Sequence, residues 1–256
     1  MRVAIVLLAA VVAGACGNAN APSTLSPSLP ATTQPPTGPV VRVLMITATA
    51  GFRHDSILAA RQTLMALAAA TGEFTVTATE NIPDVTADRL ASVDVVMFAL
   101  TSGELPFDAG QKSALADFVS HGGGFIGIHS ASDTLYDWPE YGRLVGAYFK
   151  EHPWTQEATV LVEDRTDPST VGLGASFRVS EEFYAFRDNP RPSVHVLLSL
   201  DASSVGAAGD YPLAWSHTFG NGRAYYNALG HFTSTWNDPR FQSQILGAIR
   251  WVGRRL

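Results

Sequence analysis

The chain has 256 residues, of which 46% are hydrophobic and 16% are charged, and its formal net charge is −6 at pH 7. This is the composition of a globular protein with enough apolar material for a core, and the length allows one large α/β domain or two small ones. The sequence has no basic run or stripe, which argues against nucleic acid as a partner.

The amino end has the pattern of a bacterial export signal. Arg2 precedes an apolar run over residues 3–12, which is too short to cross a bilayer as a helix. Residues 13–16 (AGAC) are similar to a lipobox, with Ala at the first position, where Leu is commoner. We expect residues 1–15 to be a lipoprotein signal peptide and Cys16 to be acylated, which would anchor the protein to a membrane of the cell envelope. Simple secretion after cleavage nearby is the alternative.

Residues 16–39 are rich in Pro, Ser, Thr and Ala from Asn18 onward. Such a segment cannot bury enough apolar surface to fold, so an extended tether is expected here. The folded domain is then expected over residues 40–256. Because Cys16 is the only cysteine of the chain, that domain has no disulfide, no thiolate nucleophile and no thiolate metal ligand.

The first half of this domain alternates strands and helices. Strands are predicted at residues 41–47, 74–79, 93–100 and 124–128, with helices at 57–70 and 108–121 and a short helix or turn at 84–90. Asp108 and Gln111 have the spacing of a capping box at the start of the last helix. This alternation predicts a doubly wound, mostly parallel sheet with helices on both faces.

The second half is less regular. Strands are predicted at residues 157–163, 194–200, 213–219 and 222–229, and the turn residues between the last two indicate a hairpin. Residues 150–154 are predicted to be a loop. A final helix is expected after Asn237 or Asp238, with Pro239 in its first turn. No second linker occurs, so the sequence indicates a single domain.

Three histidines follow predicted strands. His54 comes after the first strand, His129 directly after the fourth, and His231 after a late strand. Ligands of open α/β sheets bind at the carboxyl ends of the strands, so we expect these imidazoles to converge. They are candidates for a general base, with Glu181 and Glu182 as catalytic carboxylates. Further candidates for ligand binding are Arg53, Asp55, Ser130, Asp133, His152, Tyr184 and Trp138.

The same three histidines are candidate ligands of a divalent metal such as Zn, because neutral imidazole is a common zinc ligand. No His-x-x-x-His or His-Glu-x-x-His spacing supports this hypothesis. A strand-end histidine bonded to the backbone is the structural alternative. Ser130 as a nucleophile is disfavoured, because His129 occupies the central position of Gly127-Ile128-His129-Ser130-Ala131, where a nucleophile elbow has serine.

Several motifs together resemble the ThuA-like (trehalose utilisation) family, over about residues 41–252. They are residues 51–56 (GFRHDS), 122–131 (GGGFIGIHSA), 137–139 (DWP), 181–184 (EEFY), 189–192 (NPRP), 212–215 (PLAW) and 229–231 (LGH). The resemblance implies a flavodoxin-like fold of the class I glutamine amidotransferase type. His129 stands where those amidotransferases have cysteine, so hydrolysis of glutamine through a thioester is excluded.

The resemblance also implies a role in bacterial carbohydrate catabolism. The expected substrate is a disaccharide or a 3-keto-glycoside made by a partner sugar oxidoreductase, and the expected chemistry is acid–base catalysis by histidine, assisted by a metal. Two alternatives stay open, a non-catalytic sugar-binding lipoprotein and a partner subunit of a sugar oxidoreductase.

Overall fold

A computed structural model describes residues 38–254 of the chain. Cys16, the predicted signal peptide and nearly all of the predicted tether lie outside these residues. Within the described residues, nine strands and six helices follow one another, with 3-10 segments at Ile82–Asp84, His129–Asp133 and Ala202–Val205. The strands are β1 (Val41–Ile46), β2 (Phe74–Thr79), β3 (Val95–Ala99), β4 (Gly124–Ile128), β5 (Phe149–Val162), β6 (Ser176–Phe186), β7 (His195–Leu200), β8 (Pro212–Phe219) and β9 (Gly222–Asn227). The helices are α1 (Ile57–Thr71), α2 (Ala87–Ala91), α3 (Ala109–Ser120), α4 (Pro139–Val145), α5 (Thr233–Trp236) and α6 (Pro239–Val252).

All nine strands form one sheet in the order β2-β1-β3-β4-β9-β8-β7-β5-β6. The first five strands in this order are parallel, and their arrangement follows the flavodoxin-like order. The remaining four strands pair antiparallel. The prediction of a mostly parallel sheet was therefore only partly right, because the second half of the chain adds an antiparallel extension of nearly equal width.

Helices cover both faces of the parallel part. Strands β3 and β4 are buried over their whole length, as expected for apolar strands packed between two helical layers. A Cβ on Gly124 would meet Val252 of α6, whereas one on Gly127 would meet Val145 of α4. Residues three apart on a strand point to opposite faces, so α6 and α4 lie on opposite sides of the sheet.

The sequence signals that predicted the starts of two helices and one hairpin turn are confirmed by the structure. Asp108 and Gln111 make both bonds of the capping box of α3. Asp238 caps α6 by accepting from the backbone of Arg240. A two-residue turn, Gly220-Asn221, joins β8 to β9.

The predicted loop at residues 150–154 was wrong. These residues belong to β5, which continues from Phe149 to Val162 and pairs with β6. The part of β5 that pairs with β7 is limited to residues 160–162. The earlier part of β5 pairs with β6 alone, so these two segments form a two-stranded extension of the sheet. We call residues 149–157 and 180–186 the β5–β6 arm. Within residues 38–254, no helix combines the length and apolarity needed to span a membrane.

Candidate functional site

The carboxyl ends of three parallel strands bring three histidines together. His54 lies in the loop after β1, His129 directly follows β4, and His231 follows β9. The centroid of the His54 ring lies 4.8 Å from that of His129 and 5.1 Å from that of His231. The rings of His129 and His231 are 5.3 Å apart. The expected convergence of the three imidazoles is therefore observed.

His129 occupies a tight turn between β4 and the 3-10 segment that follows. Its φ of 53° is in the left-handed region, which non-glycine residues adopt mainly in sharp turns and at functional sites. The backbone of Tyr226 is paired with β4, and its hydroxyl donates to the His129 carbonyl at 2.7 Å. This turn has the position and backbone strain of a nucleophile elbow, with imidazole in place of a nucleophile.

The ring of His129 is fully buried and held by hydrogen bonds at both nitrogens. Its Nδ1–H donates to the Ala228 carbonyl at 2.7 Å, which leaves the Nε2 lone pair free to accept. The Tyr184 hydroxyl donates to that Nε2 at 2.9 Å. The tautomer and orientation of the ring are thus fixed, with Nε2 facing the other histidines.

Glu182 joins the histidines from the antiparallel half of the sheet. Its carboxylate lies 3.0 Å from His231 Nδ1 and 3.6 Å from His129 Nε2. Because Glu182 is on β6, the last strand of the sheet, it reaches this position through the β5–β6 arm. His152, on β5 of the same arm, has its Nδ1 3.7 Å from the other carboxylate oxygen of Glu182.

Glu181, the neighbour of Glu182, faces away from the imidazole rings. It is fully buried and accepts hydrogen bonds from the backbone N–H of Gly230 and His231 and from the Thr235 hydroxyl. Successive residues of a strand point to opposite faces, which explains why the two glutamates have different surroundings. Glu181 thereby fixes the loop that carries His231.

One ligand atom from each of His54, His129, His231 and Glu182 can be chosen so that all four lie within 4.8 Å of one another. We call these residues the His3Glu cluster. An ion with bonds of 2.0–2.1 Å in tetrahedral geometry has ligand atoms about 3.3 Å apart. The separation of His231 Nδ1 from His129 Nε2 is 3.3 Å, and the two distances from these nitrogens to Glu182 are 3.0 and 3.6 Å. The cluster therefore has the composition and spacing of a site that could hold a divalent metal.

Burial and neighbouring charges set the protonation states. Burial and the adjacent rings of His129 and His231 lower the pKa of His54 to about 3. Burial alone would raise the pKa of Glu182, but its contacts with the imidazoles of His129 and His231 outweigh burial and hold that pKa well below its usual range. A neutral imidazole and an ionised carboxylate are the forms that bind metal.

A cavity of about 190 Å³ opens onto this cluster, and we call it the site cavity. It is lined by Phe52, His54, Asp133, Phe149, His152, Glu182, Tyr184 and His231. The Asp133 carboxylate accepts from the Tyr136 hydroxyl at 2.6 Å, and burial raises its pKa. Asp133 is thus a carboxylate that faces the site cavity without belonging to the His3Glu cluster.

Other predicted ligand-binding residues lie beside this cavity or away from it. Ser130 is buried, with its Oγ 3.5 Å from His54 Nδ1. Asp55 lines a neighbouring cavity instead. Arg53 is paired with Glu80, at 3.0 and 2.9 Å. Trp138 lies outside the lining of the site cavity and stacks on Tyr141, with ring centroids 5.9 Å apart.

Sequence reasoning missed several supporting residues. Tyr226 and Thr235 were not singled out, because neither belongs to a recognisable catalytic pattern, and Ala228 contributes only its carbonyl. Phe52 and Phe149, by contrast, are aromatic residues that the sequence places near the expected site as candidates to stack on a sugar ring, with core packing as the alternative, and both line the cavity.

The comparisons with known proteins agree with this fold. The family model of ThuA, described as trehalose utilisation, matches residues 42–252. A ThuA-like protein from Bacteroides uniformis is 24% identical, with a TM-score of 0.72 over 88% of this chain and 95% of its own. A ThuA-like protein from Parabacteroides merdae is 18% identical, with a TM-score of 0.69 over 84% of this chain and 90% of its own.

A β-galactosidase from Rahnella sp. R3 is also similar in structure. It is 16% identical, with a TM-score of 0.54 over 82% of this chain and 31% of the β-galactosidase chain. At sequence identities below 25%, the similarity to these solved structures shows a common fold alone. No curated protein sequence matches this chain.

Proposed function

The chain belongs to the ThuA family, described as trehalose utilisation, and from this premise we propose that it is a divalent-metal-dependent enzyme that cleaves 3-keto-glycosides. The observation that carries the proposal is the His3Glu cluster, four potential ligands within 4.8 Å at the carboxyl end of the sheet. The family description supports a role in carbohydrate metabolism. It gives no reaction, so the chemistry is argued from the cluster and the site cavity.

The residues around the cluster fit a metal in their hydrogen bonding as well as in their spacing. His129 donates its Nδ1–H to a backbone carbonyl, which is the usual support for a histidine that coordinates through its other nitrogen. Glu181 fixes the backbone of the loop that carries His231. A bound divalent ion would act as a Lewis acid on a sugar carbonyl. Zn is the expected ion, because three imidazoles and one carboxylate suit it.

His54 is better suited to be a ligand than a general base. A general base works best when its pKa lies near the working pH, and the pKa of His54 is about 3. Asp133 is the more suitable base, because it faces the site cavity outside the cluster and burial raises its pKa. This assigns metal binding to the His3Glu cluster and proton transfer to Asp133.

The reaction is an elimination next to a ketone. Asp133 removes the proton from C2 of a 3-keto-glycoside, which the neighbouring ketone makes acidic. The electron pair of that C–H bond forms a C1–C2 double bond as the glycosidic C1–O bond breaks, and the leaving oxygen takes a proton. Addition of water across the double bond then completes the hydrolysis. A sugar oxidoreductase must supply the 3-keto substrate.

Metal content is the first test of this proposal. The purified domain, residues 38–256, should contain about one equivalent of a divalent metal by elemental analysis, and His129→Asn should lose it. Asparagine tolerates the positive φ of this position, so the turn is preserved. His121→Asn is the matched control, because His121 caps α3 outside the cluster. Metal-free wild-type protein that takes up no added Zn would contradict the proposal.

Turnover is the second test. Metal-loaded wild-type protein should release the alcohol from a 3-keto-glucoside, and Asp133→Asn should lower kcat by about 10²–10⁴-fold while keeping its metal. Sugar affinity without any product at stoichiometric enzyme would support the alternative of a non-catalytic sugar-binding protein. Co-purification of a sugar oxidoreductase without turnover would support the alternative of a partner subunit.

We also propose that the protein is extracytoplasmic and held at the cell envelope by a lipid on Cys16. The support is the sequence pattern at residues 1–16. Its test is given in the Discussion.

A further inference from the structure

One hydrogen bond of the site cannot coexist with a metal in the His3Glu cluster. The Tyr184 hydroxyl donates to His129 Nε2 at 2.9 Å, and this is the nitrogen that faces the other histidines of the cluster. Because Nδ1 of the same ring carries the proton that bonds the Ala228 carbonyl, Nε2 has a single lone pair. That lone pair can accept from Tyr184 or coordinate a metal, but not both. Metal binding through Nε2 must therefore release the hydroxyl.

A released Tyr184 hydroxyl would stay beside the cluster. The residue is only 3% exposed, and its ring contacts those of His129 and Phe149, with centroids 4.5 and 4.4 Å away. Within residues 38–254, the hydroxyl has no hydrogen-bond partner other than His129. Because a buried donor without an acceptor is unfavourable, the hydroxyl requires a new acceptor when Nε2 is taken.

The site cavity is where that acceptor can enter. Tyr184 lines this cavity together with Asp133, the proposed base. Among the described residues of its lining, Tyr184 is the only one with a hydroxyl group. The neighbouring Tyr136 hydroxyl already donates to the Asp133 carboxylate at 2.6 Å. Tyr184 is thus a donor that is held at the cavity wall and becomes available to an oxygen of the ligand.

The proposed reaction creates an oxygen that needs such a donor. As Asp133 removes the proton from C2 of the 3-keto-glycoside, negative charge develops on the ketone oxygen, and it departs with the glycosidic oxygen when the C1–O bond breaks. A donor that is already fixed in a buried site stabilises this charge without having to reorganise. Tyr184 keeps its own proton throughout, because it only donates a hydrogen bond.

We propose that Tyr184 is a catalytic residue whose hydroxyl changes its acceptor, from His129 Nε2 in the metal-free protein to the ketone oxygen of the substrate in the metal-loaded protein. This inference rests on the proposed function and adds a residue to its chemistry. The alternative is a positioning role, in which Tyr184 only orients the ring of His129. The two roles predict different effects on metal affinity.

Zn affinity is the first measurement, made by competition with a chromophoric chelator. Tyr184→Phe frees the lone pair of His129, so we expect this variant to bind Zn at least as tightly as the wild type and up to about tenfold more tightly. Tyr211→Phe is the matched control and should bind Zn like the wild type, because the Tyr211 hydroxyl bonds the Ala208 carbonyl outside the cluster and the site cavity. Weaker binding by Tyr184→Phe would show that Tyr184 orients His129 or coordinates the metal itself, and would overturn the proposal.

Turnover of the 3-keto-glucoside is the second measurement. In metal-loaded Tyr184→Phe, kcat should fall about 10²–10³-fold with a smaller change in KM, since the hydroxyl acts on charge that develops in the transition state. Tyr211→Phe should keep the wild-type kcat. A wild-type kcat in Tyr184→Phe would overturn the role of Tyr184 and leave the proposed function standing.

A binding measurement decides the proposal if the proposed reaction itself fails. The probe is a C-glycoside of 3-keto-glucose, in which carbon replaces the glycosidic oxygen, and it is compared with its parent alcohol by calorimetry on Zn-loaded protein. Wild-type protein should prefer the ketone, and Tyr184→Phe should reduce this preference about three- to tenfold. An unchanged preference, or none in the wild type, would overturn the proposal. Wild-type protein that takes up no Zn would contradict both the proposed function and this inference.

Discussion

His54 links the protonation of the site to the stability of the fold. Its folded-state pKa of about 3, lowered by burial and by its two imidazole neighbours, is well below the ordinary value of 6.5. At a pH between these two values, the unfolded chain binds a proton at His54 that the folded protein does not bind. The stability of the fold therefore carries no penalty from His54 above pH 6.5 and falls as the pH is lowered below that value. For metal-free protein this effect is up to about 2 kcal/mol between pH 7 and pH 5.

His54→Gln should therefore make stability less sensitive to acid. We expect the loss in the free energy of unfolding from pH 7 to pH 5, measured by urea denaturation with chelator present, to be smaller in this variant by up to about 2 kcal/mol. His121→Gln is the control and should follow the wild type. An equal loss in His54→Gln and wild type would show that His54 is not kept neutral in the folded state.

At the residue scale, the sequence allowed the histidines to be predicted, because His54 and His129 follow strands of the predicted parallel sheet and His231 follows a late strand that was expected to end at the same edge. It could not distinguish Glu181 from Glu182. Which of two adjacent strand residues faces a site depends on the pairing of that strand, and β6 pairs only with β5. Trp138 was expected near the ligand because of its aromatic type, but its ring packs on Tyr141, with the burial of a core residue.

At the level of elements, Glu181 connects β6 to the loop that follows β9. Glu181→Ala would leave the backbone N–H groups of Glu182, Gly230 and His231 and the Thr235 hydroxyl without their carboxylate acceptor. Each such loss costs about 1–3 kcal/mol when solvent cannot replace the partner, so we expect the free energy of unfolding to fall by at least about 3 kcal/mol. Because His231 would lose its support, metal affinity should fall about 10–100-fold.

Two measurements check this role of Glu181. Chemical denaturation gives the stability, and titration with Zn in competition with a chromophoric chelator gives the affinity. Glu157→Ala removes an exposed glutamate of β5 that pairs with Arg178, and its stability should stay close to that of the wild type. A stability loss in Glu181→Ala without a change in metal affinity would mean that Glu181 supports the fold but not the position of His231.

The elements themselves differ in how well the sequence predicted them. Strands β3 and β4 were predictable because they are short apolar runs between helices. The first part of β5 was not, because residues 150–153 are exposed and polar or contain proline. That stretch is a strand only because β6 pairs with it, a contact between distant parts of the chain that local pattern does not encode.

At the scale of the whole molecule, the candidate site combines both halves of the sheet. The parallel half supplies the three histidines and Asp133, and the antiparallel half supplies Glu182, Tyr184 and His152 through the β5–β6 arm. A flavodoxin-like core alone would leave the carboxyl edge open and the His3Glu cluster without its carboxylate. The antiparallel extension thus completes the His3Glu cluster and closes one side of the site cavity.

The proposed membrane attachment is a property of the full chain and requires the full chain to test it. Acylation of Cys16 would give membrane affinity in proportion to the buried hydrocarbon, about 0.8 kcal/mol for each CH₂ group. In a bacterial host the wild-type protein should therefore appear in the membrane fraction and incorporate an alkyne-labelled fatty acid. Cys16→Ser should incorporate no label, and Ser26→Ala in the predicted tether should behave like the wild type. A wild-type protein that is unlabelled and recovered from the soluble envelope fraction or the medium would support simple secretion instead.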